Sequence, residues 1–187
     1  MTELMRHPEV MKKAQDEVRS LVGKKGKIEE SDLHQLHYMK CVLKEVFRLH
    51  PPVPLLLTRE TMQSLNVNGF DIPAKARVVV NVFAIGRDER CWENPEEFKP
   101  ERFINCAVDL KGHDFQLIPF GAGRRTCPGM HVGMAVVELA LANLLYCFDW
   151  ELPKGVAKED IDMDEAVGVA VHRKSALHLV ATNYLGM

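Results

Sequence analysis

The chain has 187 residues, 47% hydrophobic and 27% charged, with a formal net charge of −2 and a pI near 6.4. That is the composition of a globular chain long enough for one sizeable core; it excludes extensive disorder and carries no global signal for nucleic acid. Five cysteines (Cys41, Cys91, Cys106, Cys127, Cys147), an odd number without paired spacing, predict reduced thiols facing the cytosol rather than a disulfide framework.

The first twenty residues carry Glu3, Arg6, Glu9, Lys12 and Lys13, which is not the pattern of a signal peptide or membrane anchor. Thr2 to Arg6 reads as the tail of a helix. Pro8 opens a second one through Val22, with Met11, Ala14, Val18 and Leu21 at helical spacing and Gly23 placed as its cap. Lys24 to Glu30 is a predicted polar loop. Ser31 and Asp32 start another helical segment, and from Tyr38 the residues Met39, Val42, Leu43 and Val46 form an apolar stripe that stops before Pro51-Pro52. Glu45 and Arg48 lie three apart on this helix, roughly opposite the stripe. Taken alone they predict a solvated surface pair contributing about 0.2 to 0.5 kcal/mol.

After Pro54 the segment Leu55-Leu56-Leu57-Thr58-Arg59-Glu60 is apolar and ends in charge, the pattern of a buried edge strand. Leu65 to Ile72 carries Asn68-Gly69 between short alternating runs, a hairpin signal. Pro73 to Ala76 turns the chain into a strand over Arg77 to Phe83, where Val78, Val80 and Val82 share a face. Asn94-Pro95-Glu96-Glu97 has the form of a helix N-cap. Phe98 to Pro119 lacks regular periodicity. Met130 to Phe148 is almost uninterrupted in its apolarity. Glu138 near its centre would cost roughly 2.5 to 3.5 kcal/mol in a bilayer, so a buried core helix is expected there. Beyond a polar loop from Pro153 to Glu165, Val167 to Val171 and Ala176 to Val180 read as two strands joined at Arg173-Lys174. None of the eight histidines forms a metal-like H-x-x-x-H cluster, and all are read as structural.

Chemistry concentrates in Phe120-Gly121-Ala122-Gly123-Arg124-Arg125-Thr126-Cys127-Pro128-Gly129. A sulfur at a helix N-terminus meets unsatisfied N–H groups and the positive end of the dipole, which favour thiolate. Pro128 suits a first helical turn. Gly121, Gly123 and Gly129 let the backbone pass close to a flat ligand. Arg125 offers a fixed cationic fork for a carboxylate, and Phe120 an aromatic face. Together these fit a large planar metal macrocycle bearing carboxylates. Alternatives are weaker. In a G-x-G-x-x-G phosphate loop, Thr126 stands where the third glycine belongs, and there is no G-K-[ST]; Cys106 has no C-x-x-C relationship to Cys127 that would suit zinc. A cysteine nucleophile with a histidine base, or a plain buried thiol, leaves Arg125 and the glycines unexplained.

This stretch resembles F-x-x-G-x-R-x-C-x-G, the haem-ligating loop of the cytochrome P-450 superfamily, at Phe120, Gly123, Arg125, Cys127 and Gly129. Glu45-Val46-Phe47-Arg48 is similar to the family's E-x-x-R and Pro100-Glu101-Arg102-Phe103 to its P-E-R-F, in the family's order. The resemblance implies a mainly α fold with small β-sheets (α+β), the C-terminal half of the cytochrome P-450 fold, with a long buried helix following the cysteine loop. Residues 1–187 would be the C-terminal haem-binding region of a single domain. The N-terminal anchor, the roof of the pocket and the oxygen-activating helix have no counterpart in this sequence, so a fragment with little turnover of its own is expected. The cofactor implied is haem b (iron protoporphyrin), with Cys127 as axial iron ligand. Phe120, Gly121, Gly123, Arg125, Gly129 and Arg59 would bind it, Arg125 and Arg59 through the propionates. Thr58 departs from the proline common there. Glu45, Arg48 and Arg102 would form a structural triad. Val53, Leu55, Leu56 and Leu57, with Val167, Gly168 and Val169 in a turn reaching the pocket, would touch substrate.

By the same resemblance the parent is a plant-type haem-thiolate monooxygenase of the endoplasmic reticulum membrane, on its cytosolic face. It would place one oxygen atom from dioxygen into a small lipophilic substrate such as a terpenoid. Electrons would come from NADPH through a flavoprotein reductase docking near Arg124, Lys99 and Lys111. A haem-thiolate isomerase or dehydratase and a non-catalytic haem-binding fragment remain alternatives. No nucleic acid partner is implied, and membrane contact only through the part outside this chain.

Overall fold

Helices assemble first from local signals. The computed structural model describes residues 1–23 and 25–184; Lys24, the first residue of the expected polar loop, lies outside the described residues. Helix α1 (Thr2–Arg6) and helix α2 (Pro8–Val22) meet at His7, and Pro8 occupies the first turn, where its missing N–H costs nothing. The stripe of α2 is buried at Val10, Met11, Ala14, Val18 and Val22, while Leu21 is half-buried. Gly23 takes φ 52° and donates its N–H to Arg19 O, ending the helix as expected. The segment at Ser31-Asp32 is a separate 3-10 turn, Glu30–Gln35, and helix α3 (His37–Leu49) begins after Leu36. Helices α2, α3 and α5 (Met130–Cys147) pack into the main core. A second cluster (Cys41, Trp92, Phe103, Val108, Leu110, Leu117) lies between α3 and the irregular segment.

Four two-stranded antiparallel sheets decorate this bundle: β1 (Arg59–Glu60) with β4 (Arg77–Val78), β2 (Leu65–Val67) with β3 (Phe70–Ile72), β5 (Phe148–Glu151) with β8 (Val180–Asn183), and β6 (Glu165–Ala166) with β7 (His172–Arg173). Asn68 and Gly69 both have positive φ, 50° and 87°, which matches the right-handed twist of the β2–β3 hairpin.

Five expectations about local structure are corrected. The buried edge strand expected from Leu55 is confined to Arg59–Glu60, and Leu55 and Leu57 are exposed because the sheet is only two strands of two residues and offers them no face to cover. The strand over Arg77 to Phe83 stops at Val78, because Asn81 accepts the Ala84 N–H at 2.9 Å and starts a helical turn, α4 (Val82–Ile85). Asn94 to Glu97 is a turn with Asn94 at φ 44°. Its carbonyls at Pro95 and Glu97 are drawn onto Arg48, at 2.6 and 3.0 Å, so they are not free to start a helix ladder. Val167 to Val171 is the loop between β6 and β7. Val167 and Val169 stand in solvent, so the alternation that suggested a strand has no face to bury. Of the second expected strand only Val180 is in β8.

The long helix α5 is not a buried one. It is apolar and long enough to cross a membrane by composition, with a mean hydropathy of 1.5, yet only 28% of it is buried. Leu141, Ala142, Leu145 and Tyr146 pack on the core, whereas Val132, Val136 and Val137 are exposed; α2, α3 and the 3-10 turn cover one side and nothing described covers the other.

Candidate functional site

The cysteine loop is shaped by left-handed glycines and closed by its own backbone. Gly121 and Gly123 have φ 76° and 69°, a conformation that side chains resist. Cys127 donates its N–H to Phe120 O at 2.9 Å, and the Thr126 hydroxyl donates to the same oxygen at 3.3 Å, so the two ends of the loop are pinned together. Gly112 supports it from behind, where a Cβ would come within 2.8 Å of Gly121 O. Cys127 precedes α5, with Met130 donating its N–H to Cys127 O at 3.4 Å, and its thiol is free and exposed. Beside the sulfur stands a residue without a side chain. A Cβ on Gly129 would sit 4.0 Å from Sγ, and one on Gly133, a turn further, would meet open space.

Around this loop the fold gathers residues distant in sequence. Arg59 donates from Nη2 to Arg125 O at 3.0 Å, which brings the guanidinium of β1 against the loop whose Arg125 side chain is exposed. Leu56, at φ 50°, reaches within 3.7 Å of the Cβ position of Gly121. Phe120 is half-buried with its ring 5.2 Å from Phe47 of α3. Leu55 and Leu57 are exposed and Val53 is half-buried. The Val171 N–H donates to Pro52 O at 2.7 Å, so the loop carrying Val167, Gly168 and Val169 adjoins the Val53–Leu57 segment. Arg124, Lys99 and Lys111 are exposed, and Lys111 is paired with Asp109 at 3.6 Å.

Glu45 and Arg48 are the reverse of a solvated pair. Both side chains are 0% exposed. Arg48 donates to the two Glu45 oxygens at 2.8 and 2.9 Å, Arg102 Nε donates to Glu45 Oε1 at 3.0 Å, and the Lys99 N–H adds a bond of 2.8 Å. The Arg48 fork also takes Gly86 O at 2.6 Å. The face that looks polar along the sequence is covered by residues 86–102, which wrap back over α3. Glu101 ties the same segment to α2 and α3, accepting from Lys13 at 2.9 Å and from the Tyr38 hydroxyl at 2.7 Å. Burial, then the Glu101 bond, pushes the Tyr38 phenol above its usual range.

Sequence reasoning missed one cluster. His50, at the end of α3, lies 2.7 Å from Glu3 and 3.8 Å from Glu165. No sequence signal joins those positions. Nor did it single out Phe47, though the residue sits inside the E-x-x-R stretch.

Among the described residues no group of three or more His, Cys, Asp or Glu could hold a metal ion. A lone thiolate donor suits an iron that arrives with its other ligands already in a ring. The bare glycine surface beside Sγ and the adjoining Arg59 and Arg125 suit a flat ring with carboxylates, so the residues present fit haem.

The family model described as Cytochrome P-450 matches residues 1–180. Cytochrome P-450 71A1 of Persea americana is 61% identical over 185 residues, covering 99% of this chain and 37% of that relative. Phenylacetaldehyde oxime monooxygenase of Prunus mume is 54% identical over 186 residues, covering 98% of this chain and 35% of its own length. The solved structure of a zebra fish cytochrome P-450 with abiraterone superposes with a TM-score of 0.86 at 29% identity, over 97% of this chain and 41% of that one. The chain thus spans little more than a third of the curated relatives it matches.

Proposed function

This chain belongs to the cytochrome P-450 family, and on that premise we propose that it is the haem-holding part of a monooxygenase acting on a small lipophilic substrate such as a terpenoid. The observation that carries the reading is the exposed Cys127 thiol beside bare glycine surface, with Arg59 drawn to Arg125 on the same loop. Cys127 ligates the iron of haem b, and Arg125 and Arg59 hold its carboxylates as charge-assisted donors. When bound, haem supplies dioxygen activation, which no side chain of this protein can perform. Phe120, packed on Phe47, braces the loop, and the left-handed Gly121 and Gly123 would let its backbone approach the ring closely.

Glu45, Arg48 and Arg102 act structurally, fixing the wrapped segment that precedes the loop. Val53, Leu55, Leu56 and Leu57 on one segment, and Val167, Gly168 and Val169 on its neighbour, offer apolar contacts to substrate; their adjacency through Pro52 and Val171 supports this. Electrons come from NADPH through a flavoprotein reductase that docks on Arg124, Lys99 and Lys111, at the endoplasmic reticulum membrane. The Prunus mume relative, a monooxygenase by name, supports the reaction class.

The test is spectroscopic. Reduced, carbon-monoxide-bound protein is expected to give the red-shifted Soret band of thiolate ligation, and Cys127→Ala to abolish it. An imidazole-type spectrum, or one indifferent to that substitution, would overturn the assignment.

A further inference from the structure

We propose that His50 is a positioning residue that fastens the β6–β7 hairpin to α1 and α3, and so sets where Val167–Val169 stands relative to Val53–Leu57; this rests on the substrate-facing reading of those two segments. The geometry converges on one ring. His50 Nε2 lies 2.7 Å from Glu3 Oε1 on α1, and Nδ1 lies 3.8 Å from Glu165 Oε1 at the start of β6. Glu3 is 6% exposed and ionised beside His50, Arg6 and His7, so the anchor side of the link is rigid. Glu165, 43% exposed, is the movable side.

What makes this link decisive is the lack of packing next to it. A cavity of about 180 Å³ separates the helices from the hairpin, between Met1, Val46, Pro51, Met163 and Val171. Close packing normally fixes one element on another through many weak contacts, and across a void those contacts are lost. Among the described residues two polar fastenings remain across the gap: the ion pair of protonated His50 with Glu165 at 3.8 Å, and the Val171 N–H to Pro52 O at 2.7 Å. Both start from the three consecutive residues His50, Pro51 and Pro52, and Pro52 leads directly into the Val53–Leu57 segment. The end of α3 therefore governs both apolar segments. Further out, Arg173 donates from Nε and Nη2 to Asp162 O, which stiffens the hairpin within itself but does not attach it to the helices.

The experiment uses haem-loaded protein in three forms besides the parent: His50→Phe, His50→Gln and Glu165→Gln. Amide hydrogen exchange over residues 165–173 is read first, then binding of clotrimazole, whose azole nitrogen takes iron while its aryl groups touch the pocket walls, against imidazole, which lacks those groups. Exchange over the hairpin is expected to quicken in His50→Phe and in Glu165→Gln and to recover partly in His50→Gln, which can still donate to Glu3. Clotrimazole affinity is expected to fall about threefold to tenfold in His50→Phe, with imidazole affinity unchanged. If His50→Phe does not fold, Glu165→Gln decides by the same two readouts, its half-exposed carboxylate being safe to replace. Hairpin exchange equal to the parent in the folded variants overturns the fastening. Faster exchange with unchanged clotrimazole affinity overturns the positioning role through the substrate-facing reading instead, leaving the fastening itself in place.

Discussion

Arg102 Nε meets Glu45 Oε1 at 3.0 Å across 57 residues of sequence, on a carboxylate that is 0% exposed and already holds Arg48. Removing the carboxylate strands two guanidinium groups, one of them fully buried. Glu45→Ala is expected to cost about 3 to 5 kcal/mol, read from denaturant unfolding. A loss under about 1 kcal/mol would instead mark the pair as a surface contact. Arg102→Lys should rescue little, because the Arg102 fork also donates to the carbonyls of Glu93 and Glu97, at 2.9 and 3.2 Å.

Two glycines should respond oppositely to alanine. A Cβ on Gly86 would run into the carbonyl oxygen of Arg48, which is backbone and cannot swing away, so Gly86→Ala is expected to destabilise by about 1 to 3 kcal/mol. Gly133 lies inside α5 with open space at its Cβ position, so Gly133→Ala should stabilise the haem-free protein by about 0.5 to 1 kcal/mol. If haem lies on this face, the added methyl instead speeds haem loss. Thermal unfolding of both forms, with and without haem, checks the pair of signs.

Arg59→Ala and Arg125→Ala should each accelerate transfer of haem to an acceptor protein by about tenfold, since each removes a charge-assisted bond to a carboxylate. Release rates equal to the parent in both variants would remove the propionate role.

Acid should loosen the α1–α3 junction. Burial pushes the Glu3 carboxyl up, but the His50 hydrogen bond and the charges of His50, Arg6 and His7 outweigh it, holding Glu3 below its ordinary 4.5. The folded value being the lower one, this stability is fully present above about 4.5 and is lost as pH falls through the folded value. Glu3→Gln is expected to be less stable at neutral pH and to lose less melting temperature between about pH 5 and pH 3. A slope as steep as the parent's would show that other carboxylates carry the acid response.

Local chemistry was legible in advance. Asn68-Gly69 forms its hairpin and Gly23 its cap because the φ each turn needs is a property of the residue itself. The cysteine loop could be read because its constraints, left-handed glycines and a sulfur just before a helix, lie within ten residues. What tertiary structure alone decided was exposure. Glu45 and Arg48 have the spacing of a surface pair, yet residues 86–102 bury them. Val167 to Val171 alternates like a strand, yet Val167 and Val169 stand in solvent. Helix α5 has the apolarity of a core helix, yet one side is bare. Sequence determines which conformations a segment favours. Whether a face meets water depends on chain that arrives from far along the sequence, and nothing within the segment records that arrival.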